Sequence, residues 1–553
     1  MSKKKYTVGI DFGTLSVRAA VVDVSDGREL ASAAVDYEHG VIDSFLPGTS
    51  EPLPPGTALQ DPSDYTKALE ILIPRVIASA GIDKNDIAGA GVDFTACTLI
   101  PIYADGTPLC LTDRFRKEKN AWCKLWKHHA AQPYADRINE LYAKSGGHWL
   151  DSFGKVISSE FFIPKVWQTL DEAPEVYNAA DCFIEACDWI VMLLTGELTR
   201  SYVLASYKAE YSDEDGYPPD SFLRMCDPRL EGLFATKGGG GRIVRTGEVA
   251  GRVTAAAAAR FGLPEGCAVA GGLPDAHVGG FPLGITEPGD MFGIFGTSSC
   301  YFLLGEERRE VPGICGCVKD GILPGYYGFE AGLCCFGDHF AWAAERICPP
   351  EYAAEAERRG ISKLRLLIEK ASKLKPGECG LLALDWWNGN RSILVDNELR
   401  GLLVGMTLGT RAEDIMRALI EATAFATRVI TENFISHGVP VKRIVAAGGV
   451  PRKDPFTMQL FSDVLGLPVE VAATSQAPAL GDAINAAVAC GAYGSLPEAS
   501  AAMKVGTEAV YLPDAGRKKT YDRLYAEYVK LHDWFGRGGS DVMYVLGEIE
   551  ESV

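Results

Sequence analysis

Two glycine turns of nearly the same spelling carry the chemistry of this sequence: Gly9-Ile10-Asp11-Phe12-Gly13-Thr14-Leu15-Ser16 and Gly293-Ile294-Phe295-Gly296-Thr297-Ser298-Ser299. Each turn offers backbone N–H groups and a threonine hydroxyl, Thr14 or Thr297, a combination that suits phosphate oxygens. Asp11 stands two residues ahead of the first turn, where a carboxylate suits a Mg²⁺ held largely through water. Alone, it would read as a residue capping its own loop; beside a second turn, the metal role is favoured. A further pair, Ala270-Gly271-Gly272-Leu273-Pro274 and Ala447-Gly448-Gly449-Val450-Pro451, follows in the same order. Ordered recurrence of this kind signals a duplicated unit. Two lobes that each bring a phosphate turn to one cleft would clamp a nucleoside triphosphate.

Asp275 lies in Gly271-Gly272-Leu273-Pro274-Asp275-Ala276-His277-Val278-Gly279-Gly280, at the end of a strand with glycine on both sides. A ligand can approach closely there. An enzyme that phosphorylates a hydroxyl needs a carboxylate to take the proton as the oxygen attacks in line. His277 is the competing choice, but a histidine among apolar neighbours is more often structural.

The elements that must position these residues are mixed. Residues 6–10, 17–23 and 29–35 read as strands joined by turns at Gly13-Thr14 and Asp26-Gly27. Asp61-Pro62 starts a helix that runs to Gly81 with an expected kink at Pro74, and residues 87–93 form another strand. A hairpin that pairs residues 99–103 with 107–111 is expected across Asp105-Gly106. Residues 120–260 hold several helical stretches rich in Trp, Tyr and His and read as an insertion that shapes a substrate site. Within it, Lys237-Gly238-Gly239-Gly240-Gly241-Arg242 lacks the GxxxxGK[ST] pattern and reads as a flexible surface loop. In the second half a core helix spans 411–437, with Thr410 and Glu413 expected as a capping box. Another helix starts near Pro455, aiming its N-terminus at whatever Gly448 and Gly449 contact. The Ala-rich run 481–490 reads as a buried helix. Strands alternating with long helices make an α/β architecture.

Composition excludes several classes. At 553 residues the chain holds at least two domains, and 47% hydrophobic with 23% charged residues is ordinary for a globular protein. The longest apolar runs are too short to span a bilayer, and the start shows no apolar signal region, so a cytoplasmic protein is expected. The fifteen cysteines lack paired CxxC spacing and read as buried free thiols. A formal charge of −19 disfavours nucleic acid.

Taken together, the paired turns, Asp275 in its glycine setting, Gly448-Gly449 and Gln476-Ala477-Pro478-Ala479-Leu480-Gly481-Asp482-Ala483 resemble the FGGY carbohydrate kinases over nearly the whole chain. The resemblance implies a two-lobed actin/hexokinase-like (ribonuclease H-like) duplicated fold with ATP and sugar in the inter-lobe cleft. It implies a sugar-binding N-terminal lobe over 1–284 and a nucleotide-binding C-terminal lobe over 285–540; the end of the chain reads by itself as a helix beyond Lys518 followed by a disordered tail over 541–553. Within the family the chain is most similar to the branch acting on L-ribulose, through Gly91-Val92-Asp93-Phe94-Thr95-Ala96-Cys97-Thr98, Leu125-Trp126-Lys127-His128-His129, Gly328-Phe329-Glu330-Ala331-Gly332 and Leu384-Asp385-Trp386-Trp387-Asn388-Gly389. The implied reaction converts L-ribulose and ATP to L-ribulose 5-phosphate and ADP with Mg²⁺, in L-arabinose catabolism. By position, the resemblance makes Asp275 the base and sets Ala96, Lys208 and Glu330 around the sugar. Gly448 and Gly449 would border the adenosine with Lys453 nearby, and Gly13, Thr14, Gly296 and Thr297 would hold phosphates. The chain departs from the family where His128 replaces a frequent Asp and Asp454 replaces a frequent Asn. Two alternatives stay open: a kinase for D-ribulose or xylulose, and a non-kinase nucleotide-driven protein of the same fold. A homodimer is the open expectation for assembly.

Overall fold

A computed structural model of the chain describes residues 5–552, so Met1–Lys4 and Val553 lie outside the described residues. The chain divides into two compact units. One comprises Met1–Thr286, Val318–Gly328 and Gln476–Val505, and the other Glu287–Cys317, Phe329–Ser475 and Gly506–Val553.

In the first unit, Tyr6–Phe12, Ser16–Asp23 and Glu29–Asp36 form an antiparallel meander. Ile87–Phe94 pairs parallel with Tyr6–Phe12, Ala268–Ala270 pairs parallel with Ile87–Phe94, and Val249–Arg252 closes the edge antiparallel. The central strands are buried along nearly their whole length, which is why Val-Gly-Ile and Gly-Val runs occur there without polar alternation. Glu29–Asp36, by contrast, alternates between exposed and half-buried residues. Helix Pro62–Ala80 packs on the meander. Asp61 caps its start, accepting from the Ser63 N–H at 2.8 Å, and Gly81 ends it at φ 66°. The helix continues through Pro74.

The central strands are covered by a helix from far along the chain, Ala477–Ala489. It lies so close that a Cβ on Gly9 would stand 1.7 Å from the Ala479 carbonyl oxygen, and one on Gly91 2.2 Å from that of Asp482. Glycine-lined strands and an alanine-lined helix fit backbone to backbone. The first unit therefore reaches past the expected boundary near residue 285 to take in Gln476–Val505. The insertion supplies helices Gln132–Ser145, Phe162–Glu172, Ala186–Thr195 and Tyr202–Lys208. It also contributes Cys123–Lys124 and Cys182–Glu185 to a small sheet with Leu59–Gln60 and Leu99–Ile102.

The second unit repeats the plan. Asp290–Phe295, Ser299–Gly305 and Tyr327–Leu333 take the places of the meander, Arg443–Ala447 pairs parallel with Asp290–Phe295, and Val469–Ala472 pairs parallel with Arg443–Ala447. Numbering the five common strands by sequence gives the order 3-2-1-4-5 in both units. The core helix is Ala412–Ser436, buried almost all round rather than on one stripe. Its Arg417 forms a buried ion pair with Glu421 at 2.6 Å and donates to the Tyr521 hydroxyl.

Four local expectations are corrected. The helix cap is Arg411 with Asp414, whose carboxylate accepts from the Arg411 N–H at 2.8 Å; Thr410 instead accepts from the Thr407 N–H. Lys237-Gly238 belongs to an organised turn Phe234–Gly238, fastened by Lys237 to the Ala180 carbonyl and by Arg200 to that of Gly240. The hairpin across Asp105-Gly106 is shorter than expected, because Leu109–Leu111 is a 3-10 turn. The tail carries a helix over Val542–Ser552, anchored where Tyr544 donates to Asp396 and Arg400 pairs with Glu550.

Candidate active site

In the first unit, three parallel strands end in carboxylates. Asp11 is opposite Asp93 in register, and Leu273 and Pro274 pair with Asp93 and Phe94, so that Asp275 follows directly at the same end. Ligands bind in such sheets outside the carboxyl ends of the strands. Asp275 opens the short helix Asp275–Val278, with its Oδ1 accepting from the Ala276 N–H at 2.7 Å. His277 is buried with its ring against that of Tyr207, centroids 4.6 Å apart, in keeping with a structural histidine.

Asp93 is completely buried. Burial, together with Asp482, Asp11 and Asp275 facing it, pushes its carboxyl well above the ordinary range. Burial also raises Asp11, against the lowering effect of Arg18. Sequence reasoning did not assign Asp93 or Asp482. The available signal was a lone acid in each of two otherwise apolar elements. Asp11 Oδ2 has no hydrogen-bond donor among the described residues, and its nearest cation, Arg18, is 3.7 Å away. A buried carboxylate oxygen left open in this way fits a hydrated divalent cation.

The first turn, Gly13–Ser16, closes with Gly13 N–H donating to the Ser16 carbonyl at 3.0 Å. Gln60 donates to the Thr14 carbonyl at 2.7 Å and Trp126 Nε1 to the Thr14 hydroxyl at 3.2 Å. Ala96 is half-buried in the loop after Phe94. That loop is pinned by Thr95 N–H to the Phe12 carbonyl at 3.1 Å and by the Thr98 hydroxyl to the Thr95 carbonyl at 2.8 Å. Lys208 ends helix Tyr202–Lys208, is 5% exposed, and has its Nζ 5.7 Å from the Phe161 ring centroid. Its charge acts on Cys97, next to Ala96. Asp11, Ala96, Lys208 and Asp275 thus all belong to this unit.

Glu330 belongs to the second unit, buried on strand Tyr327–Leu333. So do Gly296, Thr297, Gly448, Gly449 and Lys453. The Gly296 turn closes onto the Ser298 carbonyl at 2.9 Å and leaves Gly296 and Thr297 exposed. It backs onto Phe336–Asp338, whose N–H groups donate to the Gly296 and Thr297 carbonyls. Ala447 pairs with Ile294, and Gly448, at φ 110°, lies so close to Phe295 that a Cβ would stand 2.4 Å from its carbonyl oxygen. Both glycine segments therefore sit side by side at strand ends, a cradle open to an anion. Lys453 is exposed, and its carbonyl accepts from Arg365.

The two family departures have structural roles. His128 is buried, accepting from the Ala58 N–H at 3.2 Å and bonded to Gln168 at 2.9 Å; burial holds its pKa well below the usual imidazole value. Asp454 caps helix Pro455–Leu465, accepting from the Thr457 N–H at 3.2 Å. A cavity of about 290 Å³ beside His128 and Glu172 contains none of the candidate residues.

Residues 6–281 match the N-terminal domain model of the FGGY family of carbohydrate kinases, and residues 291–490 match its C-terminal domain model. The chain belongs to the FGGY family. As an FGGY protein it is a carbohydrate kinase. It is 49% identical to a ribulokinase of Halalkalibacterium halodurans over 543 residues, 98% of this chain and 96% of that one. It is 46% identical to a ribulokinase of Geobacillus thermodenitrificans over 553 residues, 99% of this chain and 98% of that one. Among solved structures, a xylulose kinase from Rhodospirillum rubrum matches with a TM-score of 0.76 at 23% identity, covering 96% of this chain and 98% of that one. That likeness shows the actin/hexokinase-like fold. None of the helices among the described residues is long and apolar enough to cross a membrane.

Proposed function

We propose that this FGGY kinase transfers the γ-phosphoryl group of ATP to L-ribulose, giving L-ribulose 5-phosphate and ADP. The placement of Asp11 and Asp275 at the same end of one sheet, on either side of strand Ile87–Phe94, carries the reading, because it pairs a metal-side carboxylate with a base. The choice of sugar is supported by relatives named ribulokinase at 46–49% identity. Asp275 takes the proton of the attacking C5 hydroxyl while the O–P bond forms and the bond to ADP breaks. Ala96, Lys208 and Glu330 hold the sugar through backbone approach, a cation and an anion. Gly13, Thr14, Gly296 and Thr297 receive the phosphates, and Gly448, Gly449 and Lys453 border the nucleoside. Asp11 would hold Mg²⁺, whose charge would offset that of the phosphates. The free thiols fit a cytoplasmic setting in L-arabinose catabolism.

The test is a coupled ADP assay over all four 2-ketopentoses with L-arabitol and ribitol. L-Ribulose is expected to give the highest kcat/KM, with other ketopentoses and some pentitols accepted less well, since an unpaired buried polar group costs ~1–3 kcal/mol. A higher kcat/KM for D-xylulose or glycerol would overturn the choice of sugar.

A further inference from the structure

Lys165 is 0% exposed, inside helix Phe162–Glu172 of the insertion. A buried ammonium is retained only where hydrogen bonds and opposite charge replace its water. Its Nζ donates to two backbone carbonyls, those of Cys97 and of Leu125, the latter at 2.9 Å. Glu185 and Glu160 lie near enough to act on its charge.

The two carbonyls belong to two different connections. Cys97 follows Ala96 and has φ 63°, the left-handed region that a residue with a side chain enters at a cost. Leu125 precedes Trp126, whose indole N–H reaches the Thr14 hydroxyl. Nothing in a helix-packing role calls for a cation here, since methionine fills nearly the same volume without desolvating a charge. What the ammonium adds is a clamp on a strained carbonyl one residue from Ala96.

We infer that Lys165 is a positioning residue for the sugar: through the Cys97 and Leu125 carbonyls it locks the left-handed loop that presents Ala96. The inference rests on the proposed sugar contact at Ala96. Lys165 reaches the sugar through the loop and is not itself a contact. The nucleotide segments at Gly296 and Gly448 share none of these bonds, and the Thr14 carbonyl is held separately by Gln60.

The test is Lys165→Met in the full chain, assayed with the ketopentose of highest kcat/KM and checked by thermal melting. KM for the sugar is expected to rise tenfold or more while KM for ATP moves less than threefold. Adding Cys97→Gly, which reaches positive φ freely, should recover at least threefold of that loss. Ala96→Val, measured alongside, reports on the sugar contact itself. If Ala96→Val raises the sugar KM and folded Lys165→Met does not, the clamp is overturned and the contact stands. If neither moves it, the contact fails and the inference fails with it. A rise in both KM values without rescue by Cys97→Gly also overturns the clamp. Should Lys165→Met not fold, Lys165→Gln, too short to reach both carbonyls, takes its place. Failure of both to fold assigns Lys165 to stability alone and overturns the inference.

Discussion

Asp11 and Asp93 stand opposite each other on adjacent parallel strands, and Asp93 is in turn opposite Leu273, two residues before Asp275. Register alone therefore delivers three carboxylates to one end of one sheet. A one-residue slip of any of these strands would turn its acid to the other face. The covering helix Ala477–Ala489 seats on glycines in two of them and so guards the register.

Asp275→Asn keeps size and polarity but cannot accept the hydroxyl proton. We expect kcat to fall by ~10²–10⁴-fold, with KM for ATP and the melting temperature little changed. If Asp275 only holds its own turn at the Ala276 N–H, turnover per folded molecule should survive, since the Asn Oδ1 still accepts that bond. Measuring turnover and melting on the same preparation separates the roles.

Asp11→Asn should raise the Mg²⁺ concentration needed for half-maximal activity by ~10–100-fold, the range for groups that hold a metal through its outer shell. Activity at saturating Mg²⁺ should partly return. An unchanged Mg²⁺ curve would remove Asp11 from the metal site.

Gly91→Ala should destabilise the first unit by ~1–3 kcal/mol or more through overpacking, because its Cβ would meet helix backbone that cannot swing away. Gly506→Ala is the control, since a Cβ there meets nothing within 4 Å. Urea midpoints that fall equally for the two variants would contradict the close seating of the helix.

Asp385 is buried in the second unit, with burial pushing its carboxyl up to about 7 while the Tyr528 hydroxyl donates to it. Its folded pKa is above its unfolded value near 3.8, so the folded state binds the extra proton between those values. Stability from this group is complete below the lower value and is lost as pH rises toward about 7. Asp385→Asn removes that loss. The variant's melting temperature relative to the parent should therefore climb from pH 4 to pH 7 and then level off. A difference that stays flat with pH would contradict the raised carboxyl.

Much of the site was legible because its signals are local. A Phe-Gly-Thr-x-Ser turn declares itself within five residues, and Asp61-Pro62 announces a helix start without help from elsewhere. What escaped depends on distant partners. Asp482 looks like one polar interruption in an alanine helix, and only the folded sheet brings it against Asp93. Lys165 carries no motif; its meaning lies in two carbonyls on other segments. Thr410 and Glu413 have capping spacing, but the chain enters the helix one residue later and Asp414 closes the cap on Arg411. The tail helix leaves Val542, Val545, Leu546 and Ile549 exposed, and its anchors, Met543, Tyr544 and Glu550, rest on partners far back in the chain.

The helix Ala477–Ala489 has a consequence for synthesis. Chains emerge from the ribosome N-terminus first, and domains commonly finish in that order. Here the strands Tyr6–Phe12 and Ile87–Phe94 are made early, yet the helix that seals Gly9 and Gly91 is encoded almost at the end. The first unit stays uncovered while most of the second is being translated. Nascent chains must carry an unsealed glycine-lined sheet for hundreds of residues, and a gene truncated at Thr286 yields a half that has no lid of its own to fold under.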